Sequence, residues 1–315
     1  MKTKHKQSIN ELASIIAAYV IMFIIFSIIA PYFMTWKNLM NILLYSSVIG
    51  ISATGITMIL LTGCMDISVG AIIGISGMIS GIALSNGAPV GVGILLSLGM
   101  GIVCGAFNGL LVAKLKVTPL IATLASQSII RGAALLTTGG LSLMISNESF
   151  KILGRHYIMG VMPVCVIIMF AFFLIAGYVL KYTPFGRNIY STGGNIEASR
   201  LAGISVDRIR IIAYMISGLC AGLSGVIMAS QTGAAIPTAG TGTEMDIVGA
   251  VVLGGTRLSG GKGNIVGTFI GVLVFVTLSN ALTLLNVMSF WQTVAKGIVL
   301  LLAVVMDVAR GGIKV

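Results

Sequence analysis

The sequence predicts an all-α polytopic membrane protein of about ten transmembrane segments, some short or broken, with both termini on the cytoplasmic side. Three observations carry that prediction. The 315 residues are 57% hydrophobic and only 9% charged, against roughly 45–50% apolar and about 25% charged for a soluble domain. Several apolar runs reach the roughly 18 residues that cross a bilayer. The Lys and Arg residues also fall mostly on one side of those runs, as cytoplasmic segments of membrane proteins do. Nineteen basic and eight acidic residues cannot coat a water-soluble body of this size, which excludes a soluble enzyme, a nucleic-acid reader and a disordered module. The net charge of +11 is read as this inner-side bias and implies no nucleic-acid partner.

The elements follow in order. Lys2, Lys4 and Lys6 precede an apolar run from Leu12 to Ala30. That run is longer than a signal-peptide core, and Pro31-Tyr32-Phe33 stands where a cleavage site of small residues would be. It is therefore read as the first span, with Tyr32 and Trp36 at the far interface, where amphipathic rings settle. The predicted spans are 12–31, 42–61, 67–85, 90–113, 118–137, 159–180, 211–231, 246–257, 264–285 and 289–306. The eighth is too short for a lipid-facing crossing and reads as a partial one inside the protein. The third is rich in Gly and Ser and is expected to be irregular. With the N-terminus inside, only Lys37, Lys151 and Arg155 fall outside, while Arg131 and Lys296 fall within spans. Arg131 is expected to reach the outer interface and Lys296 to pair inside the bundle. The whole chain, 1–315, reads as one transmembrane domain with a cytoplasmic loop at about 181–210.

Glycine is the next signal. Gly77 and Gly81, Gly101, Gly105 and Gly109, and Gly218 and Gly222 form GxxxG spacings. Small residues so spaced let helix backbones approach closely, so the spans form one tight bundle. Cys64, Cys104, Cys165 and Cys220 lie in or beside apolar runs without paired spacing and read as buried hydrophobes. No HExxH or other metal-ligand cluster is present.

Three polar stretches are informative. In 181–210, Thr192-Gly193-Gly194 is expected to turn. Asn195 caps a short helix from Ile196 to Ala202, Glu197 sits in its first turn, and Gly203 supplies a left-handed stop. A helix this short needs a surface to pack on: its own bundle, the lipid interface or a second protein. Ile196 and Leu201 offer apolar contact, and Glu197 and Arg200 charged contact. In the second stretch, 62–70, Asp66 stands between two spans. Either it caps the third segment through the backbone near Ser68, or it binds a cation or proton. In the third, Thr243 and Asp246 have capping-box spacing and Glu244 adds charge to the same turn. Glu244 and Asp246 either cap that helix or meet a solute or partner at the outer mouth. Among polar residues inside spans, Asn108, Gln127 and Asn280 are candidates for a translocation path, although helix-to-helix hydrogen bonding is the ordinary role of such groups. Residues 254–267 fail as a phosphate loop, because Thr256 takes the place of its first glycine and Gly263 follows Lys262. An ATP-driven transporter would thus need a separate subunit for hydrolysis.

With these residues in place, the chain resembles the permease subunit of bacterial ABC importers of the ribose, galactose, xylose and arabinose class, closest in pattern to the ribose permeases. The resemblance rests on NLMNILLYSSVIGISATGITMILLTGCMDISVG (38–70), AFNGLLVAKLKVTPLIATLASQSIIRG (106–132), FGRNIYSTGGNIEASRLAGISVDRIR (185–210) and EMDIVGAVVLGGTRLSGGKGNIVG (244–267). Cys64 stands where the family usually has glycine, and Ile67 where leucine is common. The resemblance implies a multi-pass protein of the bacterial inner membrane that imports a ribose-type monosaccharide or sugar-like solute and is not itself an enzyme. It implies that two copies, or two related permeases, form the pore. An ABC ATPase, often with two fused nucleotide-binding domains, binds ATP and Mg below, and a periplasmic sugar-binding protein delivers solute above. Gly194, Asn195, Ile196, Glu197, Arg200, Leu201 and Gly203 then correspond to the segment seated in the ATPase. The alternative is an ion-coupled secondary transporter of a small polar solute, for which Asp66 is the main support.

Overall fold

The computed structural model describes residues 2–158 and 160–309. The side chains of Lys2, Lys4 and Lys6, and the C-terminal Arg310 and Lys314, lie outside the described residues. Helix α1 (Lys2–Ile29) is followed by α2 (Trp36–Leu61), α3 (Val69–Ser85), α4 (Val90–Ala113) and α5 (Pro119–Leu136). A middle segment holds β1 (Leu143–Met144), α6 (Glu148–Arg155), β2 (Tyr157–Ile158), β3 (Met162–Pro163), α7 (Val164–Tyr182), α8 (Pro184–Gly194) and α9 (Ile196–Leu201). Then come α10 (Val206–Thr232), β4 (Ala234–Ala235), α11 (Thr243–Leu253), α12 (Ile265–Leu284) and α13 (Ser289–Ala309). Among the described residues, seven helices are long and apolar enough to cross a membrane, α3 and part of α13 being shorter apolar helices. The protein is thus all-α and polytopic, with two strand pairs, β1 with β4 and β2 with β3.

Two four-helix groups, α2–α5 and α10–α13, share one plan. Each begins with a long helix of 26 or 27 residues. A non-helical stretch and a short helix follow, α3 or α11, then two more helices. The long helices run antiparallel through the core. Ser52 Oγ donates to Ser224 Oγ at 2.9 Å, Ser224 donates to the Val48 carbonyl at 2.8 Å, and Gln231 Nε2 reaches the Leu44 carbonyl at 3.2 Å. Residue numbers fall on one helix as they rise on the other, so the two groups point in opposite directions. The exchange continues outward, α4 lying along α10 and α12 along α2. Helix α1 packs at the side, on α12.

Glycine permits this packing at the predicted spacings. A Cβ on Gly101 would strike the Gly218 carbonyl, and one on Gly105 the Tyr214 carbonyl; Gly109 faces Ile211. In the second group Gly254 meets Gly267, and Gly271 meets Ala250. All these neighbours are backbone atoms, which cannot move aside as a side chain can.

Four local expectations need correction. Helix α2 starts at Trp36 rather than 42, because the Thr35 hydroxyl accepts from the Asn38 amide and starts the helix a turn and a half earlier. Helix α3 is regular despite its Gly and Ser content. Ser80 and Ser85 turn back on their own helix, Ser80 on the Gly77 carbonyl at 2.8 Å and Ser85 on the Ile82 carbonyl at 2.9 Å, and the irregular chain lies before it. Thr192-Gly193-Gly194 is the last turn of α8 and not a loop turn. Thr183 caps α8 with Pro184 in its first turn, and Gly193 is pressed against the Leu61 carbonyl. Last, Thr243 makes no capping box. Gly242 is the N-cap at φ +83°, no side chain caps the helix, and Thr243 Oγ1 donates to the Gly240 carbonyl.

Candidate coupling element and translocation site

The cytoplasmic loop of the sequence reading is a compact two-helix unit. Asn195 serves both helices. Its amide closes α8 on the Ser191 carbonyl at 3.0 Å, and its side-chain oxygen accepts from the Ala198 amide at 2.9 Å to open α9. Ser191 and Ser199 share a hydroxyl hydrogen bond at 2.9 Å that ties α8 to α9. Gly203, at φ +80°, ends the unit where a side chain would be strained. Glu197 and Arg200 pair with each other at 3.1 Å, while Leu201 is 90% exposed. Ile196 is only partly exposed, and Gly194 has no neighbour on its Cβ side.

The unit is mounted rigidly. Gly193 packs on the end of α2, the Gly261 amide donates to that same Leu61 carbonyl at 2.9 Å, and the Gly261 and Gly194 backbones touch. Tyr190 Oη donates to the Gly263 carbonyl at 3.1 Å; burial raises this phenol above its ordinary range. Through these contacts α8 and α9 are joined to the end of α2 and to the chain between α11 and α12.

Deeper in the bundle the non-helical stretches meet. Residues 64–67 are neither helix nor strand, and Asp66 is fully buried. Its Oδ1 accepts from the Ser68 amide at 2.9 Å and the Ser68 hydroxyl at 2.6 Å, the backbone contact the capping reading expected, but Ser68 rather than Asp66 is the N-cap of α3 and no side chain caps that helix. Asn108 donates to the same hydroxyl at 2.8 Å, and Tyr214 Oη fixes the Met65 carbonyl at 2.8 Å. Asn108 is completely buried, so its role in this structure is to hold α4 on α3. Gln127 donates to Glu244 Oε1 at 3.2 Å. Arg131, expected at the outer interface, turns inward instead. Its guanidinium donates to the carbonyls of Pro237, Ala239 and Gly70 at 2.8, 2.7 and 3.1 Å, the first two of which lie in non-helical chain and have no helical partners to bond.

Glu244 and Asp246 are 7% and 9% exposed, so both sit below the protein surface. Lys296 Nζ reaches Asp246 Oδ2 at 2.6 Å, the pairing inside the bundle that the sequence suggested for this lysine. Beside the pair lie two cavities of about 400 and about 280 Å³. Asn280 lines the smaller one and pairs reciprocally with Asn38 at 3.0 and 2.8 Å. Sequence reasoning brought Asp246 and Asn280 to this region, but it missed the lysine as the aspartate's partner, 50 residues away. The shared signal was a charge in each of two apolar segments, which does not say that the two meet. It also missed α6, whose Asn147 cap and Glu148–Lys151 pair at 2.7 Å were legible in ESFKILGR. That lysine holds the Glu148 carboxyl below its ordinary range. Among the described residues no group of three or more His, Cys, Asp or Glu could hold a metal ion, and the four cysteines are free and buried.

An all-α core of two opposed helix groups, with seven helices among the described residues long and apolar enough to cross a membrane, defines a polytopic membrane protein. Comparison with known proteins makes the class specific. The family profile described as "Branched-chain amino acid transport system / permease component" matches residues 38–304. The chain is 45% identical to the ribose import permease protein RbsC of Bacillus subtilis (strain 168), over 91% of this chain and 89% of that one. It is 42% identical to RbsC of Escherichia coli (strain K12), over 96% and 95%. It is 36% identical to the L-arabinose ABC transporter permease protein AraH of Azospirillum brasilense, over 96% and 89%. No solved structure matches the chain. The chain belongs to the bacterial ABC-transporter permeases of the ribose and sugar-import class. It is a multi-pass permease subunit of the bacterial inner membrane, and the ion-coupled alternative has no support among these relatives.

Proposed function

We propose that this chain imports a ribose-type monosaccharide or a sugar-like solute, with α9 as the lever through which a partner ATPase drives it. The observation that carries the reading is α9 itself, a six-residue capped helix with Leu201 90% exposed. Isolated helices of this length do not hold in water, so the caps and the mount on α2 preserve a shape that a partner can grip. Two copies, or this chain and a related permease, enclose the path. ATP and Mg bind in the partner, which often carries two fused nucleotide-binding domains, and a periplasmic binding protein loads the opposite end. About ten segments cross the membrane with both termini inside, the short α3, α11 and α13 being counted with the seven long helices. The bias of the basic residues supports this orientation. The names of the relatives support a sugar as cargo.

Force on Leu201 passes through α9 and α8 to Leu61 and Gly261, and from there to α2 and the α11–α12 connection. Those are the segments that lead to the buried non-helical stretches. Docked, Leu201 contributes up to about 1.5–3 kcal/mol by burial. Leu201→Glu replaces that gain with an unpaired charge and is expected to weaken ATPase retention at least tenfold. Insertion and folding persist, because the side chain touches nothing in the bundle. The measurement is co-purification of the ATPase together with its stimulation by loaded binding protein in reconstituted vesicles. Wild-type retention and stimulation in Leu201→Glu would refute the assignment of α9.

A further inference from the structure

We propose that the Asp246–Lys296 pair reads the hydroxyl groups of the solute in transit and selects for uncharged polyhydroxy compounds. The inference rests on the sugar-permease reading above and assigns that activity a contact site. Among the described residues, Asp246 and Lys296 are the only two that line both cavities. The larger cavity adds the hydroxyls of Thr241, Thr243 and Thr293 and the ring of Phe275, and its volume falls within the range of small-molecule sites. The smaller adds Ser279 and Asn280.

A carboxylate offers about four lone-pair sites and an ammonium three donors. Their mutual contact at 2.6 Å uses one of each. A hydroxyl both donates and accepts, so a solute carrying several of them can bond the carboxylate and the ammonium together without separating them. The pair carries no net charge. An ionised solute entering here would bring a charge with no counter-charge left to balance it, which is costly away from bulk water even where the cavity itself is wet. The apolar wall at Phe275 suits the C–H face of a sugar ring. Arg131 makes the contrast clear: three backbone carbonyls occupy its guanidinium, whereas Lys296 has a single carboxylate and open volume on both sides.

The test uses the complete transporter, with its ATPase and binding protein, in cells lacking other permeases for these sugars. Labelled D-ribose, D-galactose, D-xylose and L-arabinose are the probes. Asp246→Asn and Lys296→Met are expected to lower uptake of the carried sugar at least tenfold. ATPase stimulation by loaded binding protein should stay within about twofold, so that ATP is spent without import. Lys296→Arg should retain uptake within about threefold. The inference is overturned if Asp246→Asn and Lys296→Met import normally. It is equally overturned if their uptake falls only in step with recovery of folded complex, or together with ATPase stimulation, because the pair is then structural. If the unaltered transporter carries none of the four sugars, the sugar reading fails first and takes this inference with it.

Discussion

The helices α2–α5 and α10–α13 share a plan but use a half-buried basic residue, Arg131 in one and Lys296 in the other, in opposite ways. In the first group, Arg131 of α5 is spent on backbone. It closes the carbonyls of 237 and 239 and ties them to Gly70 near the start of α3. In the second, Lys296 of α13 makes its contact with Asp246 of α11 and borders open volume. The difference teaches a division of labour: one group is locked, and the other keeps an ion pair at a cavity wall. Transporter sites commonly lie where opposed repeats meet at broken helices, and here the two groups contribute unequally to such a place.

The largest test of the shared plan is steric. Gly101→Leu would drive a side chain into the Gly218 backbone, where neither helix can yield locally. Overpacking of this kind costs about 3 kcal/mol or more, so recovery of monodisperse protein should collapse. Gly99, two residues away on α4, faces open space. Gly99→Ala should leave the melting temperature unchanged or raise it, by up to about 1 kcal/mol in stability. Equal damage from both would show that helix propensity, not contact between the groups, decides the fold.

The next test compares the two basic residues. Arg131→Met leaves the two non-helical carbonyls of Pro237 and Ala239 short of a donor at about 1–3 kcal/mol for each group left unmade, and a loss of about 3 kcal/mol is expected after relaxation. Lys296→Met leaves one carboxylate beside a cavity that water can enter, so about 1–2 kcal/mol is expected, below the usual cost of orphaning a buried charge. Thermal unfolding of purified protein in detergent reads both. A larger loss for Lys296→Met would reverse the assignment of locked and adjustable halves.

Much of this arrangement was legible before any coordinates, and the reason differs by region. The spans follow from hydropathy because lipid leaves the backbone no partner but itself. The α9 unit was readable because Asn195, Glu197 and Gly203 act on neighbours within a few residues. The GxxxG runs announced contact but not with whom, and Gly101 meeting Gly218 is a fact of tertiary packing. Thr243 shows the limit of local spacing. It has the capping-box pattern, yet Gly242 takes the N-cap because the chain arrives there in a left-handed turn. Arg131 and Lys296 were visible as misplaced charges, while their partners, 106 and 50 residues away, depend on the return of the non-helical stretch 233–242 into the core.

The smallest effects concern the clamps at the two ends. Where α2 begins beside the end of α12, Asn38 and Asn280 exchange two amide hydrogen bonds. At the matching place, where α10 begins beside the end of α4, Lys116 holds Asp207 at 2.9 Å with Lys114 at 3.9 Å. One clamp is neutral and largely buried; the other is charged, and both lysine side chains are more than half exposed. Asn280→Ala should cost about 0.6–1.7 kcal/mol, the range for hydrogen bonds between membrane helices. The lower part is expected, because Asn38 keeps its bond to the Phe33 carbonyl at 2.9 Å. Asp207→Asn should cost about 0.2–1 kcal/mol in dilute buffer, as exposed ion pairs do. That cost should disappear as salt rises from about 0.1 to about 1 M and the screening length falls from about 10 to about 3 Å. The Asn280→Ala cost should not move with salt, since no charge is involved. Melting curves of both variants at the two salt concentrations give the comparison. A salt-dependent Asn280→Ala, or a salt-independent Asp207→Asn, would mean that the clamps are held by something other than the contacts described.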